Sequence, residues 1–289
     1  MIPIQNRFFF SFLLIVLTHN LSAQNNSLLW EINGDSLKKP SYLFGTMHVN
    51  DKRAYQFHDS LLLKLKSCTL FAGEIILDKE AAKEVSSDLM LPPGKELKQL
   101  LNEKEYKKVK KYCTKNLGIM ALLINKIKPI FTSALISESI LGHDMPKALD
   151  EYLQEKAKDY KLSIKGLETI KEQMAVLDEL PVEEQAKMLF DQVTYIEKEK
   201  SEMQRLANIY ATQNLDSIYT FIQSSDFQGE FGDAMIKNRN ILMAERLEKL
   251  ICSASTFCAI GAAHLPGENG VLNLLRNRGY KLRPILKMK

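Results

Sequence analysis

Two histidines in this chain follow the same short pattern, in which a glycine stands three positions before the imidazole. Gly45 begins the pattern that ends at His48, and Gly261 begins the one that ends at His264. The apolar residues before each glycine predict a short buried strand, and glycine is typical where a chain turns sharply or another backbone approaches closely. Each histidine thus follows the carboxyl end of a strand, where open α/β sheets gather catalytic groups. We expect both histidines to share one site.

Two glutamates complete this set of polar groups at predicted strand ends. Glu74 follows the apolar run 69–73, and Glu168 follows the run 162–167. Neutral imidazoles with a carboxylate bind divalent ions such as zinc or manganese, which activate water for hydrolysis. A histidine beside a glutamate can instead act as a general base without a metal. The residues alone leave both chemistries open.

The elements that must position these groups alternate between strands and helices. Residues 28–32 and 42–48 predict a hairpin, and residues 280–286 predict a last strand. Residues 182–213 predict an amphipathic helix or helix pair, and residues 79–160 predict a mostly helical, highly charged insertion. We therefore expect an α/β fold with a central mixed sheet, two halves that each carry a Gly-x-x-His motif, and a large helical insertion.

The first 23 residues have the composition of a secretory signal peptide. Arg7 precedes the apolar run 8–17, and Ser22 and Ala23 predict cleavage before Gln24. The mature domain would then cover residues 24–289. The apolar run is too short to span a bilayer comfortably. We expect a periplasmic or secreted protein with no stable membrane insertion after the leader is removed.

Composition limits the partners of the chain. It carries 39 Lys+Arg and 35 Asp+Glu, a formal net charge of +4, and its lysines are dispersed among glutamates. That pattern is typical of a solvated surface and predicts neither a nucleic-acid nor a membrane partner. The oligomeric state is left open. Four cysteines in an exported chain permit disulfides, with three possible pairings.

Taken in order, several segments resemble the TraB/GumN family. They are residues 42–48 (YLFGTMH), 166–169 (GLET) with Glu172 and Gln173, the pair Arg239 and Asn240, and 261–267 (GAAHLPG). That family is grouped with the Tiki metalloproteases and is similar in fold to erythromycin esterase and to the haem-binding ChaN proteins. The resemblance implies an α/β fold whose paired Gly-x-x-His motifs line one cleft. In Tiki-like members it also implies a metal-dependent peptidase activity.

The resemblance assigns roles residue by residue. His48 and His264 match the two motif histidines, and with Glu74 they form the expected ligand set for a divalent ion, which is Mn, Co or Zn. Arg239 and Asn240 match the family's arginine-asparagine pair, where a guanidinium could hold a carboxylate or a developing oxyanion.

Two further acidic residues match the family. Glu168 matches the glutamate of the GLET segment, and Asp150 matches, more loosely, a leucine-aspartate pair on a helix.

Three functions remain open at this point. The first is an exported metal-dependent hydrolase, specifically a peptidase, that acts on a peptide or small-molecule substrate with Glu74, Glu168, Arg239 and Asn240 as catalytic groups. The second is a metal-free hydrolase similar to erythromycin esterase. The third is a non-enzymatic protein that binds a peptide or haem.

Overall fold

The computed structural model describes residues 27–76, 88–224 and 230–286. The predicted leader lies outside the described residues. So do the first residues of the predicted insertion, up to position 87.

A single sheet of six strands forms the centre of the described part. The strands are β1 (Leu29–Asn33), β2 (Ser41–Thr46), β3 (Leu70–Gly73), β4 (Ser163–Gly166), β5 (Thr256–Gly261) and β6 (Lys281–Pro284). Their order across the sheet is β4-β3-β5-β2-β1-β6. Strands β4, β3, β5 and β2 run parallel to one another. Strand β1 lies antiparallel to β2, and β6 lies antiparallel to β1. The expected mixed sheet and the hairpin between β1 and β2 are confirmed.

The described residues also form twelve α-helices. They are α1 (Leu61–Ser67), α2 (Leu97–Leu100), α3 (Glu103–Asn116), α4 (Pro129–Ile140), α5 (Leu149–Asp159), α6 (Ile170–Asp178), α7 (Val182–Thr194), α8 (Ile196–Ala211), α9 (Leu215–Gln223), α10 (Glu230–Asp233), α11 (Arg239–Ser253) and α12 (Val271–Asn277). The region predicted as one helix or a pair over 182–213 is the pair α7 and α8. No helix in the described residues combines the length and apolar character needed to cross a membrane.

The central strands are continuous apolar runs because the sheet is covered. All six residues of β2 are buried, as are the first five of β5. Helices α5 and α11 contact β5, and α5 also contacts β3 and β4. A parallel sheet covered by helices favours such unbroken apolar sequences over alternating ones. The sheet therefore forms a rigid base from which the strand ends project.

The predicted helical insertion divides between two apolar cores. Helices α2, α3 and α4 pack with α7 around a separate core, whose buried members are Leu97, Leu101, Val109, Cys113, Ile124, Ile136, Ala186, Leu189 and Val193. Helix α5 instead buries Leu149, Leu153 and Ala157 in the core of the sheet. Helices α2, α3 and α4 therefore form one unit with α7, which comes later in the chain. Helix α5, which the sequence places in the insertion, packs with the sheet instead.

All four cysteines are free thiols. Cys68, Cys113 and Cys258 are buried, and Cys252 is exposed. None of the three disulfide pairings that the sequence permits is formed.

Candidate active site

The parallel strands place the predicted polar groups at one edge of the sheet. Strands β4, β3, β5 and β2 are neighbours in that order and point the same way. Their carboxyl ends lead directly into Glu168, Glu74, His264 and His48. Four segments that are distant in sequence thus deliver their side chains to a common edge.

The motif glycines allow close approach at this edge. A Cβ built on Gly45 would lie 3.1 Å from the Cα and the Cβ of Ala262, and 3.1 Å from Leu265. A Cβ on Gly261 would lie 3.1 Å from Oε1 of Glu74. The first motif therefore packs against the backbone of the second. The second glycine leaves room for a carboxylate.

A buried arginine joins the two glutamates. Nη2 of Arg239 lies 3.0 Å from Oε2 of Glu74 and 2.7 Å from Oε2 of Glu168, and its Nε donates to Oε1 of Glu168 over 2.9 Å. The Arg239 and Glu168 side chains are only 10% and 2% exposed, so each charge depends on the other for compensation. Burial alone would lower the pKa of Arg239, but the hydrogen bonds with Glu168 and the charge of Glu74 raise it above its ordinary value.

Glu74 is held at both carboxylate oxygens. Its Oε1 accepts the backbone N–H of Gly261 over 2.6 Å, and its Oε2 accepts from Arg239. The Nε2 of Gln173 lies 3.4 Å from Oε2 of Glu74 and 3.2 Å from Oε2 of Glu168, and it thereby bridges the two carboxylates. Unlike Glu168, Glu74 remains partly exposed, at 23%. It is the acid of this group that faces solvent.

The segment that carries Glu168 is fixed by a second arginine on α11. Arg246 donates to the carbonyl of Leu167 over 2.6 Å and to both oxygens of Glu172. This guanidinium holds the pKa of Glu172 at about 2. Arg239 and Arg246 lie two helical turns apart, so one helix holds the end of β4 at two points.

His264 is buried and held in one tautomer by Asn240. The amide nitrogen of Asn240 donates to the carbonyl of Asn269, so its Oδ1 faces Nδ1 of His264 at 2.6 Å. An amide oxygen only accepts, and Nδ1 must therefore carry the proton. Burial lowers the pKa of His264, which keeps the ring neutral at neutral pH. The free lone pair is then on Nε2, which lies 3.7 Å from Oε1 of Glu74.

His48 is the exposed counterpart, and Asp150 holds it. Its Nδ1 lies 3.2 Å from Oδ2 of Asp150, and its side chain is 66% exposed. The other oxygen of Asp150 accepts from the hydroxyl of Thr46 over 2.5 Å. The hydrogen bond with Asp150 raises the pKa of His48. Nε2 is again the ring nitrogen left free.

A cavity of about 220 Å³ opens between these groups. Its polar lining comes from His48, Asp150, Thr46, Glu74, Gln154 and Gln173, and its apolar lining includes Phe71, Ile75 and Ala259. An apolar pocket with a few convergent polar groups is the usual form of a small-molecule or side-chain site.

The structure brings some predicted site residues together and keeps others apart. Glu74, Glu168 and Arg239 form one ion-paired group, and His264 touches it through Glu74. His48 contacts Asp150 and shares the cavity with Glu74. In the described ranges, no three His, Cys, Asp or Glu side chains are gathered closely enough to hold a metal ion. The ligand set of His48, His264 and Glu74 stays a prediction.

Of the predicted site residues, Glu74 and His48 line the cavity, whereas Glu168, Arg239, Asn240 and His264 do not. The nitrogens Nε and Nη2 of Arg239 are engaged by carboxylates. Its expected contact with an oxyanion is a prediction that this geometry does not test. The geometry does show that Arg239 fixes Glu74 in place.

Three site residues received no firm role from the sequence. Asp150 was only a loose family match, while Thr46 and Gln173 stood in quoted motifs without an assignment. The signal available was position: Thr46 is the last residue of β2, and Gln173 lies on the first turn of the helix that follows Glu168. Their partners are 104 and 99 residues away in the chain, which no local pattern indicates.

The remaining histidines of the described chain have other surroundings. Nδ1 of His58 accepts the backbone N–H of Ser60 at the start of α1, and His143 pairs with Asn50.

An α/β sheet with both Gly-x-x-His motifs at one edge is the arrangement that the family resemblance implied. The sequence profile of the TraB/PrgY/gumN family matches residues 28–284. The chain therefore belongs to the TraB/PrgY/gumN family.

Several curated relatives are metalloproteases by name. The chain is 25% identical to metalloprotease TIKI1 of Xenopus tropicalis, over 89% of this chain and 61% of that protein. It is 24% identical to metalloprotease TIKI2 of Danio rerio, over 89% and 60%, and 24% identical to metalloprotease TIKI1 of Homo sapiens, over 92% and 65%. The chain thus spans about three-fifths of the length of these relatives. No solved structure matches it.

Proposed function

We propose that this protein is an exported, metal-dependent hydrolase that cleaves peptides. The observation that carries the proposal is a hydrogen bond that both motif histidines make through the same ring nitrogen. Each has its Nδ1 held by an oxygen acceptor, which leaves Nε2 free. Metal-binding histidines almost always have such a partner on the second ring nitrogen, because it fixes the tautomer and the ring orientation. Family membership and the metalloprotease relatives support the same chemistry.

The chemistry of the contact between His264 and Glu74 also suits a cation. The lone pair of His264 Nε2 faces the carboxylate oxygen of Glu74 across 3.7 Å, with no proton on the nitrogen to join them. Two lone pairs in that arrangement repel each other unless a positive charge lies between them. Imidazole nitrogen and carboxylate oxygen are ligands that Zn, Mn and Co accept. We propose that His264 and Glu74 hold the ion together with His48, whose side chain lines the same cavity as Glu74.

A bound divalent ion would supply a Lewis acid that polarises a carbonyl and activates water. The chain's own residues do the rest. Arg239 and the Gly261 N–H fix both oxygens of Glu74, so its carboxylate keeps one orientation at the cavity. Asn240 keeps His264 unprotonated at Nε2, and Asp150 orients His48. Glu168, Arg239 and Asn240 are positioning residues here, and Glu74 and His48 face the substrate.

One observation favours metal-free hydrolysis as a second candidate. His48 and Asp150 form a hydrogen-bonded pair that opens onto the cavity. A histidine oriented by a carboxylate is the arrangement of a general base for water. In this candidate Asp150, rather than a glutamate, orients the base.

The test is cleavage of a mixed peptide library by the chain from Gln24 onward, read by mass spectrometry. We expect hydrolysis that chelator abolishes and that Mn, Co or Zn restores. Glu74→Gln and His264→Ala should each lose at least 100-fold in rate, a loss of about 2.7 kcal/mol of transition-state stabilisation. His143→Ala is the matched control, because its imidazole lies outside the cavity.

Full activity in excess chelator would contradict metal dependence and favour the His48–Asp150 base. No cleavage under any of these conditions would contradict the peptidase proposal. Binding of haem or of intact peptide without turnover would then favour the non-enzymatic function.

A further inference from the structure

The turn between α3 and α4 exposes four large apolar side chains to solvent. Ile119 and Leu122 are 79% and 78% exposed, and Met120 and Leu123 are 38% and 41% exposed. We call these four residues the apolar tip. Single exposed apolar residues are common on protein surfaces, but four within five consecutive positions form a patch of the kind that marks an interaction surface.

Local geometry groups these side chains on adjacent faces. Residues Gly118–Leu122 form a 3₁₀ helix, in which side chains three positions apart lie on the same face. Ile119 therefore lies beside Leu122, and Met120 lies beside Leu123. The residues that face inward are Leu117, Ala121 and Ile124, which pack into the core around α3, α4 and α7. Packing of these inner residues fixes the turn on the helical core, and the four side chains of the tip remain in solvent.

The chain around the apolar tip is strongly basic. Between Glu105 and Glu138 it carries seven lysines and no Asp or Glu. Four of these lysines contact other groups: Lys107 with Glu103, Lys108 with Thr194, Lys110 with the ring of Tyr106, and Lys128 with Asp178.

The other three lysines flank the tip. Lys111 and Lys115 lie on the last turns of α3, one helical turn apart, and Lys126 follows the tip. All three are exposed and form no ion pair within the described part of the chain. We call Lys111, Lys115 and Lys126 the lysine rim of the tip. The charge of Lys126 helps to lower the pKa of Glu96, so the uncompensated positive charge of the rim comes from Lys111 and Lys115.

We propose that the apolar tip and its lysine rim dock the protein peripherally on an anionic lipid bilayer. Exposed Ile, Leu and Met side chains can enter the boundary between headgroups and acyl chains, while lysines at the rim contact anionic headgroups. A second copy of this chain is a poor occupant, because a symmetric contact would place the same lysines against each other.

The composition of the whole chain does not indicate this surface. The formal net charge of the chain is only +4, and its lysines are dispersed among glutamates over the sequence as a whole. The net charge and the dispersed lysines of the whole chain therefore predict no membrane partner. The chain places exposed lysines on both sides of the exposed apolar residues of one turn. The inference does not depend on the proposed hydrolase function, since no residue of the tip lines the active-site cavity.

The experiment is co-sedimentation of the chain from Gln24 onward with sonicated vesicles. One set is phosphatidylcholine alone, and the other contains 30 mol% phosphatidylglycerol (roughly the charge density at which polybasic segments bind). We expect binding only to the anionic vesicles, weakening as salt rises. Lys111→Gln with Lys115→Gln should lower the partition coefficient roughly 25-fold, about fivefold for each lysine. Ile119→Ser with Leu122→Ser should lower it at least about tenfold.

The matched control changes an exposed leucine and an exposed lysine elsewhere. Leu63 on α1 is 68% exposed, and Lys158 on α5 is exposed. Leu63→Ser with Lys158→Gln should bind like the unchanged chain. Because all these positions are exposed, circular dichroism should show every variant folded.

Three outcomes would overturn the proposal. They are no sedimentation with anionic vesicles, equal sedimentation with neutral ones, and tip variants that bind like the unchanged chain. A dimer in light scattering that Ile119→Ser with Leu122→Ser converts to monomer would assign the tip to self-association instead.

Discussion

His48 and His264 have the same motif and opposite electrostatic surroundings. His264 is enclosed, and burial disfavours its charged form, so its pKa is lowered. His48 is exposed beside the Asp150 carboxylate, whose hydrogen bond favours the charged form, so its pKa is raised. Motif equivalence in sequence therefore does not mean chemical equivalence in the fold. The pKa of His264 lies below the ordinary histidine value, and the pKa of His48 lies above it.

This difference predicts two separate titrations in NMR spectra of the ¹³Cε1-labelled histidines. The spectra are recorded after chelator has removed any bound metal, because a metal ion on Nε2 would compete with the proton. The His264 resonance should titrate below pH about 6.5, the ordinary histidine value, and the His48 resonance above it. Spectra of His48→Ala and His264→Ala assign the two signals. Both resonances titrating together at the ordinary value would show that neither contact forms in solution.

The same shifts have opposite consequences for stability. Folded His264 binds its proton less tightly than the unfolded chain does, so its contribution to the free energy of unfolding falls as pH drops below about 6.5. His48 binds its proton more tightly when folded. Its contribution is present below pH about 6.5 and is lost as pH rises through its raised pKa.

Arg239 should matter far more to stability than Arg246. Removing Arg239 leaves Glu168, with a side chain 2% exposed, as an uncompensated buried charge. We expect Arg239→Ala to lower the free energy of unfolding by about 3–5 kcal/mol in urea denaturation. Arg246 and Glu172 are 35% and 39% exposed, and Arg246→Ala should cost only about 1 kcal/mol. Equal losses in the two variants would show that the buried ion pair is not formed.

At the scale of elements, the site depends on how closely β2 approaches the turn after β5. Gly45, the last residue but one of β2, lies against Ala262 and Leu265, where a Cβ would lie 3.1 Å from backbone and side-chain atoms. The contact of Gly45 with Ala262 and Leu265 thus sets the position of the first histidine motif relative to the second. Parallel pairing of β2 with β5, from Tyr42 opposite Phe257 to Thr46 opposite Gly261, fixes that register.

Gly45→Ala should therefore crowd this contact. We expect a loss of about 1–3 kcal/mol in the free energy of unfolding, the usual cost of overpacking. Adding Ala262→Gly removes one of the three close atoms, and thermal denaturation should show partial recovery. A fully stable Gly45→Ala protein would mean that the two strand ends lie farther apart than described.

Strand ends were predictable from the sequence, whereas their partners were not. Short runs that end at Gly45, Gly73, Leu167 and Gly261 mark β2 to β5, and parallel strands have their carboxyl ends at one edge of the sheet. The contact of Asp150 with Thr46 and His48 joins α5 to β2 across about a hundred residues. Side-chain pairs of that kind arise from packing, which local periodicity does not encode.

On the scale of the whole molecule, the described residues form two separate apolar cores. The sheet with α5 and α11 builds the candidate active site, and α2, α3, α4 and α7 build a helical unit that carries the apolar tip. The sequence predicted a helical insertion but not that α7 completes it, because α7 is separated from α4 by α5, β4 and α6. The family profile spans both units, because it matches residues 28–284.

The central claim is that His48, His264 and Glu74 hold a divalent metal ion. Elemental analysis of the tag-free chain, from Gln24 onward, tests it most directly. We predict close to one Mn, Co or Zn per chain. The content should fall sharply in His48→Ala and in His264→Ala, because losing one of three ligands weakens a site by several kcal/mol out of the roughly 10–16 of a tight zinc site. His143→Ala should retain the ion. A chain without metal, whose thermal unfolding Mn, Co and Zn leave unchanged, would contradict the account.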